Sequence, residues 1–169
     1  YVFLPGDPGR CEAIAQHFDN PVHIGMNREY NIYTGTLLGQ KVSVCSTGIG
    51  GPSASIAMEE LAAIGSDTFI RIGTCGGLQP DTPVGTFIAS EKSIGFDGLL
   101  NFYAGRDAVC DTALEQAFLR HMQWQGHQCI AHPYVASADR RLLDAIAADD
   151  MVRGITVACG GFFGPQGRE

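Results

Sequence analysis

The side chains that could do chemistry stand in glycine-rich stretches. Arg71 lies in Thr68-Phe69-Ile70-Arg71-Ile72-Gly73-Thr74-Cys75-Gly76-Gly77, where apolar and β-branched residues run up to a glycine cluster. That pattern predicts a buried strand ending at a tight turn. A guanidinium inside such a strand costs solvation free energy unless an anion meets it. At the carboxyl end of a strand in an open α/β sheet the anion is often a ligand. A buried Glu or Asp is the other reading, and this stretch by itself leaves both open.

Two further stretches tip the balance toward a ligand. Leu4-Pro5-Gly6-Asp7-Pro8-Gly9-Arg10 forces a turn and exposes backbone N–H groups ahead of a helix, although an ordinary βα loop with a solvated Arg10 has the same wording. Ser46-Thr47-Gly48-Ile49-Gly50-Gly51-Pro52-Ser53 is another strand end, glycine loop and helix start, without the Lys-Ser/Thr of a P-loop or the G-x-G-x-x-G of a Rossmann fold. Loops of this kind gather on one edge of an α/β sheet. Arg10, Arg71, backbone N–H groups and the Thr47 and Thr74 hydroxyls would then converge on a small oxyanion, with phosphate the best fit. The last glycine loop adds Phe162 as a stacking face beside Gln166 and Arg168. A planar heterocycle with adjacent carbonyl and N–H groups needs a partner that both donates and accepts, as Gln does. No nucleophile elbow, H-E-x-x-H motif or paired-carboxylate constellation stands out, and His17, His23, His121, His127 and His132 show no ligand spacing.

The elements that must position these residues alternate between strand and helix. Strands are expected at residues 1–4, 30–37, 41–45, 68–72, 84–89, 129–136 and 155–159, with a hairpin at Leu38-Gly39-Gln40 and Pro133 pushing its strand to an edge. Arg28 and Glu29 stand in a polar approach to that hairpin, and 94–105 reads as loop. Helices are expected at 10–18 (Ile14, Ala15, Phe18 inward), from Pro52 onward (Ala54, Ala57, Leu61, Ile64), after a Thr112/Glu115 capping box (Leu114, Ala117, Phe118, Met122), and at 137–148 (Leu142, Leu143, Ile146). The result is an α/β chain in one domain, 1–169, with a mixed sheet.

Composition narrows the partners. A net charge of −7 with no Lys/Arg run argues against nucleic acid. No apolar stretch approaches the ~18 residues of a membrane span, and no signal peptide is visible. The six cysteines (Cys11, Cys45, Cys75, Cys110, Cys129, Cys159) are scattered without C-x-x-C spacing, which points to reduced core thiols of a cytoplasmic protein rather than disulfides or a zinc site. The chain opens in strand-like sequence without Met and closes on a Gly/Pro-rich loop, so both ends read as cut from a longer protein.

The three N-terminal stretches and the Phe162/Gln166/Arg168 loop together resemble the nucleoside phosphorylases of the uridine phosphorylase type, over essentially the whole chain. The Gln-x-Arg element is the most specific part, since it separates pyrimidine from purine members. The resemblance implies a three-layer fold with a central mixed sheet flanked by helices. It implies reversible phosphorolysis of uridine to uracil and ribose 1-phosphate, with phosphate as co-substrate and no cofactor. It assigns Gly6, Arg10, Arg71 and Thr74 to phosphate, and Arg28 to the phosphate of a neighbouring subunit, in a homodimer or a hexamer of dimers with shared sites. Thr74, Phe162, Gln166 and Arg168 fall to the nucleoside, and Arg71, Gln166 and Arg168 to catalysis. Glu29, Ile49 and Ser53 match positions that hold a cation at the dimer interface in some bacterial relatives. The family's ribose-binding Met-Glu region would lie beyond Glu169, so the domain is expected to lack its N-terminal tip and C-terminal part. The rival readings are a purine nucleoside phosphorylase or a nucleosidase of the same fold, and a non-catalytic nucleoside-binding module.

Overall fold

The structure, a computed structural model, describes residues 1–124 and 132–166, with Trp124 described by its backbone alone. The chain divides into two compact units, Tyr1–Thr74 and Cys75–Glu169.

The first unit contains β1 (Val2–Pro5), α1 (Arg10–Ala15), β2 (Asp19–Asn27), β3 (Tyr30–Leu37), β4 (Gln40–Cys45), α2 (Gly51–Ala63) and β5 (Phe69–Ile72). Its strands form one five-stranded sheet in the order β2-β3-β4-β1-β5. β1 is parallel to both of its neighbours, whereas β2, β3 and β4 form an antiparallel meander. Chain connectivity explains the mixture: short turns can join only antiparallel strands, and parallel strands need a crossover such as α2. The β3–β4 turn has left-handed φ at both Leu38 (51°) and Gly39 (76°), the backbone that suits the twist of a two-residue hairpin.

Side-chain alternation along the strands builds the layers. Val2, Leu4 and Cys45 pack with Ala57 and Leu61 of α2, with Phe69 against them. Val42 and Val44 pack with Cys11, Ala15 and Phe18, and Phe3 joins this second cluster. The first unit is therefore a three-layer arrangement with α2 on one face and α1 on the other. Burying Val2, Leu4 and Val44 contributes about 1.5–3 kcal/mol each before chain entropy is counted.

The second unit contains β6 (Ile88–Gly95), 3₁₀ turns at Leu99–Phe102 and Arg106–Ala108, α3 (Thr112–Trp124), β7 (Tyr134–Ser137), α4 (Arg140–Ile146), β8 (Val152–Ala158) and a 3₁₀ turn at Gly164–Gln166. Its sheet has the order β7-β6-β8, antiparallel on one side and parallel on the other. α3 packs against β7 and α4 against β6. β7 is an edge strand, as Pro133 predicts, although Cys129 and its neighbours in the expected strand lie outside the described residues. Both units are thus mixed α/β sheets flanked by helices.

Several boundaries differ from expectation for identifiable reasons. β2 is not foreseen in the sequence: Pro21, a left-handed Asn20 and two register shifts break its alternation. Arg28 and Glu29 are consequently the two-residue turn of a β2–β3 hairpin, not a polar approach. α1 ends at Ala15, with Gln16 as its cap, because the N–H groups that follow, of His17 and Phe18, bond three residues back and tighten the chain into a turn. Ile64 is exposed past the end of α2, and Val84 is exposed well ahead of β6. The cap of α3 is Asp111, whose Oδ1 accepts from Leu114 N–H at 2.9 Å, so Thr112 and Glu115 do not form a capping box. Asp139 caps α4 in the same way through Leu142 N–H. Cys11 and Cys45 are buried core thiols, the latter pushed up to about 11 by burial and by Cys11 beside it, but Cys75 is exposed. Among the described residues, no helix is long and apolar enough to cross a membrane.

Candidate functional site

β4, β1 and β5 are parallel neighbours, so their carboxyl ends emerge side by side. The loops that follow β1 and β4 are joined by main-chain bonds: Thr47 N–H to the Pro5 carbonyl at 2.9 Å, and Gly48 N–H to the Gly6 carbonyl at 2.9 Å. The Thr47 hydroxyl also donates to Pro5, at 3.4 Å. Arg71 stands on β5 opposite Leu4 in the ladder and folds back over the strand ends. Its Nη1 donates to the Leu4 carbonyl and to the Ile72 carbonyl, both at 2.8 Å. The rest of its guanidinium lies against bare backbone: a Cβ on Gly6 or on Gly73 would come within 3.2 Å of Nη2. Glycine at both positions leaves room for that planar group.

The strand carrying Arg71 is not the buried strand the sequence predicts. β5 is the edge of the first unit's sheet, with Phe69 and Ile70 half-buried and Arg71 and Ile72 exposed. The guanidinium nevertheless packs closely against Gly6 and Gly73. Desolvation lowers its pKa from the ordinary value, and the Arg10 charge nearby lowers it further. Among the described residues, neither Arg71 nor Arg10 makes an ion pair with a carboxylate. Two like charges share one corner of the fold, with guanidinium N–H groups left over. An anion with several acceptor oxygens is the chemistry that relieves such an arrangement. Thr74 ends the first unit, two residues beyond β5, and is exposed.

A second polar cluster adjoins the β4–α2 loop. Gly48 has φ +66°, and a Cβ there would come within 2.7 Å of Glu29 Cγ, so the Glu29 side chain lies directly on the loop. Glu29 Oε1 accepts from the Ser53 hydroxyl at 2.8 Å. Its own backbone N–H, then the Ser53 hydroxyl, hold its carboxyl below the usual carboxylate range. Tyr30 OH donates to the Ser53 carbonyl at 3.1 Å. Ile49 is exposed beside this cluster, and Arg28 occupies the preceding turn position with φ 53°. Ser46, fully buried, donates to the Glu29 carbonyl at 2.6 Å and accepts from Asn31 N–H at 2.8 Å. The roles of Ser46 and Asn31 are not legible in the sequence, because each depends on the β2–β3 hairpin.

In the second unit, Phe162 is exposed, and Gln166 closes the turn Gly164–Gln166 with its N–H on the Phe163 carbonyl at 3.3 Å. Arg168 lies outside the described residues.

The family model of the Phosphorylase superfamily matches residues 1–169. A uridine phosphorylase of Treponema pallidum is 57% identical over 104 residues, which is 62% of this chain and 40% of that protein. A uridine phosphorylase of Escherichia coli is 48% identical over 122 residues, 69% of this chain and 48% of its own length. One from Thermococcus kodakarensis is 48% identical over 121 residues, 70% of this chain and 44% of that protein. The chain thus spans about two fifths to one half of the length of the curated relatives it matches.

Proposed function

The chain belongs to the phosphorylase superfamily, and on that premise we propose that it serves the reversible phosphorolysis of uridine, giving uracil and ribose 1-phosphate. The observation that carries this reading is the corner where the Arg71 guanidinium lies against Gly6 with the Arg10 charge nearby, neither arginine having a carboxylate partner among the described residues. The three relatives described above, each a uridine phosphorylase by name, suggest the nucleoside. In this reading a phosphate oxygen forms a bond to the anomeric carbon while the bond from that carbon to the uracil nitrogen breaks. The bonding pair leaves with the base, which then takes up a proton. Gly6, Arg10, Arg71 and Thr74 hold the phosphate, whose negative charge faces the positive charge developing on the sugar. Phe162 stacks on the base, and Gln166 and Arg168 stabilise the departing uracil anion. No covalent nucleophile is called for.

Glu29, Ile49 and Ser53 fit a hard cation by their chemistry. Their donors are oxygens alone, and the carboxylate is held ionised. Such an ion takes about six to eight oxygens, so water or a second subunit would complete the shell.

The test is an assay of the full-length protein with uridine, with and without inorganic phosphate. Uracil release that requires phosphate, with ribose 1-phosphate formed in equal amount, is the expected result. Release without phosphate would make the protein a hydrolase, binding without turnover a nucleoside-binding module, and faster turnover of inosine a purine enzyme.

Arg28 extends the proposal to assembly. Among the described residues it makes no ion pair, and it projects from a hairpin turn at the edge of the sheet. In a two-fold dimer each chain would lend Arg28 to the other's phosphate. Arg28→Ala is expected to cost about a hundredfold in phosphate-dependent turnover. Mixing it in equal amount with Arg71→Ala should restore about a quarter of the wild-type sites, since about half the dimers are mixed and each holds one intact site. No recovery after subunit exchange has been verified by mass would place Arg28 in its own chain's site.

A further inference from the structure

The turn over residues 6–10 is short, and contacts at its two ends fix its shape. At one end the β4–α2 loop grips the Pro5 and Gly6 carbonyls through Thr47 and Gly48. Within the turn, Asp7 accepts twice: its Oδ1 from Gly9 N–H at 2.9 Å and its carbonyl from Arg10 N–H at 3.1 Å. At the other end the Pro8 carbonyl accepts from Cys11 N–H at 3.2 Å and from Asn31 Nδ2 at 3.1 Å. Pro8 has no N–H, so this carbonyl is its one main-chain handle.

Asn31 lies on β3 and is itself held firmly. Its N–H donates to the Ser46 hydroxyl at 2.8 Å, and its carbonyl accepts from Ser46 N–H at 3.2 Å. The orientation of its amide follows from donor and acceptor chemistry. A carbonyl only accepts, so the amide nitrogen faces Pro8 and the amide oxygen faces His23 Nε2, 2.9 Å away. That ring nitrogen must therefore carry a proton, whatever the charge of the ring. The His23 ring is steadied in turn by Tyr33, with ring centroids 4.5 Å apart.

From this relay we infer that Asn31 is a positioning residue for phosphate. It fixes the Pro8 carbonyl, and with it the first residue of α1, Arg10, while His23 keeps its amide from turning over. Asn31 touches no substrate in this scheme; it acts through the turn. The inference rests on the reading of residues 6–10 as part of a phosphate site, and it adds a determinant of phosphate affinity that makes no contact with phosphate and acts through the placement of Arg10.

The test compares Asn31→Asp, Asn31→Ala and His23→Ala in the full-length protein, with inorganic phosphate as the probe. Asn31→Asp keeps the shape but places an acceptor against the Pro8 carbonyl. It is expected to raise the phosphate concentration at half-saturation about tenfold, in both turnover and phosphate-induced thermal stabilisation. The kcat at saturating phosphate should stay within about twofold, and the KM for uridine should be unchanged. Asn31→Ala should follow in the same direction, and His23→Ala more mildly, at about threefold. Half-saturation at the wild-type phosphate concentration in both Asn31 variants would overturn the inference. So would a fall in kcat and unliganded Tm with no change in phosphate affinity, the mark of a purely structural role. The intact protein serves as the control for the reading beneath: if phosphate fails to stabilise it at all, the phosphate site falls, and the role of Asn31 falls with it.

Discussion

Arg71→Ala is expected to lower phosphate-dependent kcat/KM by about a thousandfold and to erase the rise in Tm that inorganic phosphate gives the intact protein. The size follows from what one guanidinium does here. Nη1 is committed to the Leu4 and Ile72 carbonyls at 2.8 Å, which locks the plane of the group against Gly6 and Gly73. The remaining N–H groups are thereby held in fixed directions before any ligand arrives. A preorganised charged donor of this sort is worth about 3–4 kcal/mol at a developing charge, which corresponds to two to three powers of ten in rate. Arg71→Lys separates charge from geometry. An ammonium is a point donor that cannot bridge two carbonyls and an anion in one plane, so it should recover only part of the loss. A variant Arg71→Ala that retains the phosphate-induced shift in Tm would reduce Arg71 to a clamp between β1 and β5.

What the sequence reveals of this corner, and what it hides, follows from the range of each interaction. Pro5-Gly6, Gly48 and Gly73 are legible because a backbone turn at a strand end is a local event, written in the residues that make it. The β3–β4 hairpin is legible for the same reason, in Leu38-Gly39. β2 is hidden because its pattern is broken at Asn20 and Pro21, and the strand is recovered only by pairing with β3. With it hidden, Arg28 and Glu29 cannot be recognised as a turn, nor Ser46 and Asn31 as the residues that tie that hairpin to the loops. The direction taken by Arg71 is hidden too. A sequence can say that a strand arginine needs an acceptor, but not that two main-chain carbonyls will engage one nitrogen and leave the others available. Thr112-Ala113-Leu114-Glu115 shows a further limit: the spacing of a capping box is present, yet Asp111 takes the cap and Glu115 is drawn inward by partners distant in sequence.

Glu115 carries the largest expected loss of stability. It is 2% exposed, and one carboxylate oxygen accepts from Arg106 Nη2 at 2.6 Å and from Val135 N–H at 2.9 Å. β7 is an edge strand, so among the described residues the N–H that Val135 turns away from β6 meets no further strand. The carboxylate takes that place, while Asp111 N–H bonds the Val135 carbonyl at 2.9 Å. Removing the side chain in Glu115→Ala would leave a buried N–H without an acceptor and a guanidinium without its buried partner, and among the described residues Arg106 Nε is already buried without a hydrogen bond. The expected cost is about 3 kcal/mol, a fall in Tm of roughly 6–12 °C. Glu115→Gln keeps the shape and one acceptor and should cost less. Burial pushes the Glu115 carboxyl up, but the Arg106 and Val135 hydrogen bonds together with the Arg106 charge outweigh it and leave the pKa below its ordinary 4.5. A group depressed in the folded state stabilises above its unfolded pKa and loses that contribution as pH falls through the folded value. Urea unfolding should therefore show the wild-type advantage over Glu115→Gln in full near pH 7 and a narrowing gap below about pH 4.5, as protonation makes the wild-type carboxyl equally neutral. A gap that stays constant down to about pH 3 would mean that shape, and not the ionised carboxylate, secures the β7 edge.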